Sequence, residues 1–272
     1  MLKTAFVLGA GLGTRLRPIT DTVPKPMVPV WGKPLITFAF DHLIAELNIE
    51  RFIVNTHHCP EAYAKAFPEQ HYRDRELVFR HEPILLDTGG GIANIRDLVP
   101  DDESLIIYNG DILADFSLTH LRAAHHAGGE EWTTLAVRTS GPALQVGMDI
   151  SDGKIHDIRG ILSKENQIST DRLTNTQFTG VYIMGPAALS SLPPAEEPYS
   201  IVREWMAGIR SGQNPCACIV DDGQWYDLGT IAALKDAHEL LRHSEFPKYD
   251  KPFVASHPEI RELALPSLLA GV

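Results

Sequence analysis

The stretch Leu8-Gly-Ala-Gly-Leu-Gly-Thr-Arg-Leu-Arg-Pro18 (LGAGLGTRLRP) follows a short apolar run, TAFV, near the start of the chain. An apolar run that leads into glycines is typical of a strand ending in a phosphate-binding loop, because glycine lets backbone amides approach an anion closely. The third glycine comes one residue earlier than in the dinucleotide fingerprint G-x-G-x-x-G. The loop also lacks the G-K-[ST] ending of a P-loop. The glycines alone therefore leave open which phosphate compound binds.

The residues after the glycines narrow this choice. Four prolines fall between positions 18 and 29. They exclude the immediate long helix of a dinucleotide site, because proline lacks a backbone N–H and restricts the residue before it. Arg15, Arg17 and Lys25 lie in the same segment, and such side chains bind phosphate oxygens. The segment therefore predicts a triphosphate site, although the role of Arg17 stays undecided.

The bulk composition excludes several classes of protein. The chain has 272 residues, 44% of them hydrophobic, and a net charge of −11. This acidity argues against a nucleic-acid partner, which requires basic patches. No apolar run reaches the roughly 18 residues of a membrane span, and no signal peptide is recognisable. The cysteines Cys59, Cys216 and Cys218 have no framework spacing, which is typical of reduced thiols. We therefore expect a cytoplasmic protein without a membrane partner.

The first half of the chain alternates apolar runs with segments of helical periodicity. This alternation predicts an α/β fold: a single Rossmann-like domain whose central, mostly parallel mixed sheet is flanked by helices. The predicted strands are 4–10, 51–57, 76–82 and 104–111, and the predicted helices are 34–48, 61–67 and 89–99.

The second half contains strands without long helices between them. This pattern predicts a smaller antiparallel β part, and the Asp152-Gly153 pair favours a hairpin turn within it. The predicted strands are 132–139, 146–150, 153–159 and 178–184, and the predicted helices are 200–211 and 231–243. A tail follows at 244–272, in which one further helix is an open alternative.

Several of these segments together resemble the motifs of one protein family. The stretch LGAGLGTRLRPITDTVPKPMVPVWGKPL (residues 8–35) resembles the opening of the sugar-1-phosphate nucleotidyltransferases, whose pattern is roughly G-x-G-T-R-[LM]-x-P-L-T-x-x-x-P-K-P-[ML]-x-P-[VI]. The resemblance continues in LLDTGGGI (85–92), NGD (109–111), FTGVYIM (178–184) and WYDLGT (225–230), and so covers about residues 2–240. DTGGGI is similar to a small bacterial group of N-acetylmuramate-1-phosphate uridylyltransferases and mannose-1-phosphate guanylyltransferases.

The resemblance implies a reaction and a division of the chain. A sugar 1-phosphate would attack the α-phosphate of a nucleoside triphosphate, UTP or GTP, in the presence of Mg²⁺, and pyrophosphate would leave. The nucleotidyltransferase domain would span 1–243, with a nucleotide-binding half at 1–130 and a sugar-binding half at 131–243.

The resemblance also implies roles for individual residues. Asp111 and Asp227 would be the metal ligands, and Asp111 ends an apolar strand, where α/β sheets bind ligands. Arg15 and Lys25 would act on the phosphates as catalytic residues. Nucleotide contacts are expected from Leu8, Gly9, Ala10, Gly11, Gly13, Thr14, Thr88, Gly89, Gly90 and Asn109, and sugar contacts from Gly147, Arg159, Thr179 and Gly180.

The sequence leaves open which base the nucleoside triphosphate carries and which sugar 1-phosphate is used. A Glu82 carboxylate could accept hydrogen bonds from guanine and favour GTP, whereas uracil could be read by the backbone around Gly90. The sequence LLDTGGGI leans toward UTP. Many relatives carry a Glu-Lys-Pro whose lysine binds the sugar phosphate, but this chain has Arg159-Gly160-Ile161 there. Arg159 or Lys164 could substitute for that lysine.

Two other functions compete with the leading one. One is a cytidylyltransferase for an alditol or choline phosphate, since the G-x-G-T-R loop is shared more widely. The other is a non-catalytic nucleotide-sugar-binding regulatory subunit, although such subunits often lose the metal aspartates or the lysine that this chain retains. We expect a monomer or a homodimer.

Overall fold

The computed structural model describes residues 1–165 and 168–243. The strands are β1 (Thr4–Leu8), β2 (Pro29–Val30), β3 (Lys33–Pro34), β4 (Arg51–Thr56), β5 (His71–Tyr72), β6 (Arg75–His81), β7 (Leu105–Asn109), β8 (Ile112–Ala114), β9 (Thr133–Arg138), β10 (Leu144–Asp149), β11 (Lys154–Ile158), β12 (Leu173–Met184), β13 (Cys216–Ile219) and β14 (Trp225–Asp227). The helices are α1 (Ile36–Leu47), α2 (Glu61–Ala66), α3 (Asp87–Asn94), α4 (Leu118–Ala127), α5 (Ile161–Lys164), α6 (Pro186–Ser190), α7 (Ile201–Arg210) and α8 (Ile231–His243). Short 3₁₀ turns occupy Thr14–Leu16, Ile19–Asp21, Lys25–Met27 and Arg96–Leu98.

These elements form two units, each made of separate stretches of the chain. The glycine-loop unit consists of Ala5–Leu85, Asn109–Asp115 and, within the described chain, 224–243. The mixed-sheet unit consists of Met1–Thr4, Leu86–Tyr108 and Phe116–Gly223. The chain therefore passes between the units more often than a single boundary at residue 130 would require.

The glycine-loop unit is built on strands in the order β1-β4-β6-β5. β4 and β6 run parallel, as expected for strands joined by a helical crossover, and β5 adds an antiparallel edge. The α1 helix buries Ile36, Phe40 and Leu43 along one face. A small antiparallel ladder of β8 and β14 completes this unit.

The mixed-sheet unit has the strand order β10-β11-β13-β9-β12-β7. Its pairs are antiparallel except for β9 and β13, which run parallel. The long β12 pairs with β7, β9 and β10, and its register against β9 shifts between Phe178 and Tyr182.

Most sequence predictions agree with these bounds. The α/β fold with a mixed central sheet and flanking helices is confirmed, and so are the antiparallel strands of the second half. Parallel pairing occurs at β4–β6 and at β9–β13. The predicted tail at 244–272 lies outside the described residues. Within residues 1–165 and 168–243, no helix combines the length and the apolar character needed to cross a bilayer.

Two local predictions were incomplete or wrong. The α4 helix was missed because its buried face is Leu118, Leu121 and His125, and a histidine interrupts the apolar period there. The helix predicted over 89–99 instead begins at Asp87 and ends at Asn94, so Gly89, Gly90 and Gly91 lie inside it rather than at its start.

Candidate active site

The β8–β14 ladder brings together two aspartates that are far apart in the sequence. Asp227 pairs with Ile112, the residue directly after Asp111. The amide of Leu228 also donates to the Asp111 carbonyl at 3.3 Å. Both carboxylates therefore lie at one end of this ladder, within the glycine-loop unit.

Lys25 lies between these two carboxylates. Its ammonium is 2.6 Å from Asp111 Oδ2 and 3.4 Å from Asp227 Oδ1, and only 7% of its side chain is exposed. Pro24 and Pro26 flank it, and it opens a short 3₁₀ turn, so its backbone is held in place. A buried ammonium is costly unless it is paired. The two aspartates supply that pairing and fix the position of the charge.

Arg15 lies beside the same cluster but faces solvent. Its Nη2 is 3.9 Å from Asp227 Oδ2, and 66% of its side chain is exposed. A Cβ on Gly229 would stand 2.6 Å from Arg15 Nη2, so a side chain there would displace the guanidinium. Arg17, whose role was undecided, instead pairs with Asp21 at 3.2 Å. The structure thus gathers Arg15, Lys25 and both aspartates, and it leaves Arg15 free to reach an anion.

The donor set suits a hard cation such as Mg²⁺. Asp111 and Asp227 keep 34% and 43% of their side chains exposed, and carboxylate oxygens are the ligands that Mg²⁺ prefers. Among the residues that the structure describes, no group of three or more His, Cys, Asp or Glu side chains could enclose a metal. A metal held here would therefore complete its coordination with phosphate and water oxygens, as Mg²⁺ usually does.

At the start of the glycine loop Gly9 and Ala10 are buried and Leu8 is half-buried, and their backbone groups are largely engaged within the protein. Leu8 O accepts from Gly110 N at 3.1 Å. Gly9 N donates to Asn55 Oδ1 at 2.8 Å, and Gly9 O accepts from the Tyr63 hydroxyl at 2.9 Å. Both backbone groups of Gly9 and the Leu8 carbonyl are therefore bonded inside the unit, and Ala10 is only 3% exposed.

The later part of the loop is open. Gly11 and Thr14 are exposed and Gly13 is partly exposed. A Cβ on Gly11 would meet no atom within 4 Å. Asn109 is partly exposed at the end of β7 and belongs to the same unit. These residues remain predicted phosphate and nucleotide contacts.

Sequence reasoning missed Asn55 and Tyr63, the two side chains that hold Gly9. Asn55 lies near the carboxyl end of β4, the neighbour of β1, and this position was the available signal. Burial raises the pKa of Tyr63, and the nearby negative charge of Asp111 raises it further. The phenol therefore keeps its proton and serves as a permanent donor.

Glu82 does not occupy the position expected of a guanine-binding residue. It is 0% exposed, and its Oε1 accepts from Asn55 Nδ2 at 2.7 Å. Its amide donates to Thr56 O at 2.7 Å. In this structure the Glu82 carboxylate is therefore placed to support Asn55 and presents no surface to a base.

The glycines of α3 pack against a tyrosine of their own unit. Gly89 N and Gly90 N donate to Tyr199 O at 2.9 and 3.1 Å. In this structure these two amides are therefore engaged within the protein, whereas the sequence predicted that they contact the nucleotide. A Cβ on Gly89 would stand 2.4 Å from the Tyr199 ring. Thr88 Oγ1 accepts from Ile201 N at 2.9 Å and caps α7. Close packing within the mixed-sheet unit therefore accounts for this motif.

The predicted sugar residues separate into two groups. Gly147 and Arg159 line an open cavity of about 700 Å³ in the mixed-sheet unit, together with Lys164. Thr179 is fully buried, its hydroxyl donates to Ala136 O at 2.8 Å, and Gly180 is buried beside it. The structure therefore brings Gly147 and Arg159 together at one cavity, and it places Thr179 and Gly180 in a buried part of β12.

The cavity has a mixed charge. Arg159 and Lys164 are exposed, and Lys164 Nζ donates to Arg159 O at 3.2 Å. Asp157 also lines the cavity, and although burial raises its pKa, hydrogen bonds from Ser163 and from the Leu162 amide outweigh this and lower it. Because the Asp157 oxygens are occupied internally, the two cations are the groups free to meet an anion.

Comparisons with known proteins find one family and, within it, relatives that use different nucleotides. A family described as "Nucleotidyl transferase" matches residues 4–244. The UTP–glucose-1-phosphate uridylyltransferase of Synechocystis is 26% identical over 94% of this chain and 68% of that protein. The mannose-1-phosphate guanylyltransferase of Mycobacterium tuberculosis is 31% identical, but the match spans 83% of this chain and only 61% of that protein. A UTP-bound UGPase from Acinetobacter baumannii shares the fold, with a TM-score of 0.70 at 17% identity over 98% of this chain and 99% of that one.

Proposed function

The chain belongs to the nucleotidyl transferase family, and on that premise we propose that it transfers a nucleotidyl group from a nucleoside triphosphate to a sugar 1-phosphate. We propose UTP and N-acetylmuramate 1-phosphate, or a related sugar phosphate, as the substrates. The observation that supports this function best is the buried Lys25 ammonium held between Asp111 and Asp227 with Arg15 alongside.

The chemistry requires fixed positive charge. A sugar 1-phosphate and a triphosphate are both anions and repel each other, so positioning and charge neutralisation supply most of the rate. Lys25 is held in place before any substrate arrives, which suits a group that stabilises charge developing at the α-phosphate. Arg15 is exposed and would contact the outer phosphates.

Asp111 and Asp227 would hold Mg²⁺. When bound, the ion would neutralise phosphate charge and favour departure of pyrophosphate. Lys25 lies between the same two carboxylates, so its ammonium offsets part of their negative charge and orients their side chains. The exposed middle of the glycine loop, at Gly11, would receive the phosphates.

The sugar specificity rests on the cavity of the mixed-sheet unit. Arg159 and Lys164 take the place of the lysine that many relatives carry in a Glu-Lys-Pro. N-Acetylmuramate 1-phosphate bears a carboxylate in addition to its phosphate, and two cations suit two anionic groups. The burial of Glu82 removes the carboxylate that was expected to select guanine, which favours UTP.

A second candidate is a guanylyltransferase that uses mannose or heptose 1-phosphate. The 31% identity to the mycobacterial mannose-1-phosphate guanylyltransferase favours it. A non-catalytic regulatory subunit is less well supported, because Lys25, Asp111 and Asp227 are assembled in contact.

Pyrophosphate release tests these alternatives directly. The purified protein is incubated with Mg²⁺, each of UTP, GTP, dTTP, CTP and ATP, and a panel of sugar 1-phosphates. We expect release with UTP and N-acetylmuramate 1-phosphate, and loss of release in Asp111→Asn. The matched control is Asp21→Asn, which removes an exposed carboxylate of the same unit that pairs with Arg17. Release only with GTP would select the second candidate, and nucleotide binding without turnover would select the regulatory subunit.

A further inference from the structure

Both ends of the glycine loop are tied to one short segment of the glycine-loop unit. This segment runs from Asn55 at the end of β4 to Tyr63 in α2, and we name it the β4–α2 corner. At the first end, Gly9 N donates to Asn55 Oδ1 at 2.8 Å and Gly9 O accepts from the Tyr63 hydroxyl at 2.9 Å. A Cβ on Gly9 would stand 2.6 Å from Asn55 O and 2.8 Å from the Tyr63 hydroxyl. The corner therefore holds Gly9 by two hydrogen bonds and by close packing.

The other end of the loop is held through Thr20. The Thr20 hydroxyl donates to Gly13 O at 2.8 Å, and His58 Nε2 bonds to Thr20 O at 2.7 Å. Gly13 has a left-handed φ of 61°, and a Cβ there would meet Thr20 Cγ2 at 2.9 Å and Lys25 Cβ at 3.0 Å. Its conformation is thus fixed against Thr20, which the corner supports through His58, and against Lys25.

The orientation of the Asn55 side chain is itself fixed from behind. Asn55 Nδ2 donates to Glu82 Oε1 at 2.7 Å, so the amide nitrogen faces the carboxylate and Oδ1 faces Gly9. His57 Nδ1 bonds to Glu82 O at 2.7 Å and ties the same neighbour to the corner. Asn55 and Glu82 are buried away from water. Breaking a hydrogen bond between buried groups is costly, because no water replaces the lost partner.

The middle of the loop is left open, in contrast to its ends. Gly11 is exposed with no atom within 4 Å of a Cβ. The 3₁₀ turn that carries Arg15 starts directly after Gly13, and Gly13 packs on Lys25. A shift of either end would therefore move Arg15 or disturb Lys25.

We propose that Asn55, Tyr63 and Thr20 are positioning residues of nucleotidyl transfer: they hold Gly9 and Gly13 so that the open middle of the loop receives the triphosphate in register with Lys25 and Arg15. This role rests on the proposed function. Its physical basis is that displacing phosphates by a fraction of an ångström lowers the rate of a reaction that depends on positioning.

Matched pairs of substitutions, each removing one hydroxyl group, test the proposal. Tyr63→Phe removes the hydroxyl bonded to Gly9, and Tyr72→Phe removes an equally buried hydroxyl of the same unit that donates to Asp41 at 2.8 Å. Thr20→Val removes the donor to Gly13, and Thr37→Val removes a buried donor to Pro34 O at 2.7 Å. Within each pair the chemical change is the same, but only one of the two substitutions removes a hydrogen bond to the glycine loop.

The expected result is a split between the members of each pair. Tyr63→Phe and Thr20→Val lower kcat/KM for the nucleoside triphosphate by about tenfold or more and weaken its binding, read as a smaller rise in melting temperature with UTP and Mg²⁺. Tyr72→Phe and Thr37→Val keep the wild-type kcat/KM, and the KM for the sugar 1-phosphate is unchanged in all four. Melting curves without ligand establish whether each variant is folded. If a tyrosine variant does not fold, the comparison of Thr20→Val with Thr37→Val tests the proposal.

Two outcomes are kept apart by this design. If the loop variants match their controls in kcat/KM and in nucleotide binding, the positioning role is overturned. If the wild-type protein releases no pyrophosphate with any substrate pair, the proposed function fails instead. In that case the triphosphate-induced melting shift still tests whether these residues hold the loop for a triphosphate. Loss of the shift in Tyr63→Phe and Thr20→Val alone supports that part of the proposal, and equal shifts in all four variants overturn it.

Discussion

Replacing Gly89 by alanine tests why α3 contains a run of glycines. The new Cβ would stand 2.4 and 2.5 Å from two ring carbons of Tyr199 and 2.9 Å from its carbonyl oxygen. The ring cannot easily retreat, because its hydroxyl donates to Pro193 O at 2.8 Å and its carbonyl accepts from Gly89 N and Gly90 N. The methyl group must therefore push α3 and Tyr199 apart within the mixed-sheet unit.

The expected loss of stability follows from two opposing terms. Overpacking a well-packed site costs about 1–3 kcal/mol. Alanine recovers about 0.5–1 kcal/mol relative to glycine inside a helix, because the unfolded glycine has more conformational freedom to lose. The two terms give a net loss of about 0–2.5 kcal/mol, centred on about 1 kcal/mol. Each kcal/mol lowers the melting temperature by about 2–4 °C for a protein of this size.

Thermal and urea unfolding of three proteins checks this prediction. The wild type and Gly89→Ala are compared with Gly90→Ala, in which the new Cβ would meet Leu86 Cβ at 3.1 Å and nothing else closer than 3.6 Å. We expect Gly90→Ala to lose less stability than Gly89→Ala, because its tightest contact is 3.1 Å rather than 2.4 Å. If Gly89→Ala unfolds like Gly90→Ala while its KM for the triphosphate rises, the glycines serve the nucleotide and the packing argument is wrong.

Four further outcomes are expected. Lys25→Met lowers the rate of pyrophosphate release by about 10²–10³-fold, as loss of a fixed charge-stabilising donor does, whereas Lys65→Met, at an exposed site in α2, keeps the wild-type rate. Arg159→Met raises the KM for the sugar 1-phosphate by about tenfold and leaves the KM for the triphosphate unchanged. Burial lowers the pKa of His125 below its usual 6.5, so the folded state resists its protonation; the stability advantage of the wild type over His125→Asn in urea unfolding is full at pH 7 and shrinks as the pH falls below about 6.5. Gly11→Ala unfolds at the wild-type temperature, because its Cβ meets no atom within 4 Å, and a changed KM for the triphosphate would place the phosphates at this glycine.

Regular elements were the part of the fold that the sequence could predict. The α1 helix and the β4 strand were found because their apolar residues repeat at the helical period or run without interruption. The β8–β14 ladder was missed, since strands of three residues are too short to show a period. Its pairing is also non-local, and non-local pairings leave no trace in a local window.

The candidate site was predicted unevenly for the same reason. The assignment of Lys25, Asp111 and Asp227 depended on the family resemblance, and the structure places all three in contact. Asn55 and Tyr63 were not found, because nothing near them in the sequence refers to Gly9, which lies more than 40 residues earlier. Such residues become visible only when backbone hydrogen bonds are traced to their partners.

The glycines of the family motifs show why a motif identifies a site more readily than it identifies contacts. Gly9 lies against Asn55 and Tyr63, Gly89 against Tyr199, and Gly229 against the exposed end of Arg15 and against Asp227, each closer than 3 Å to where a Cβ would stand. In these three cases the protein itself fills the space that glycine leaves, so a glycine requirement there says nothing about a ligand. Gly11 alone among the four has nothing opposite it, and it lies between the two supported ends of the loop. The space beside it is therefore where a bound phosphate, rather than a protein atom, would explain the absence of a side chain.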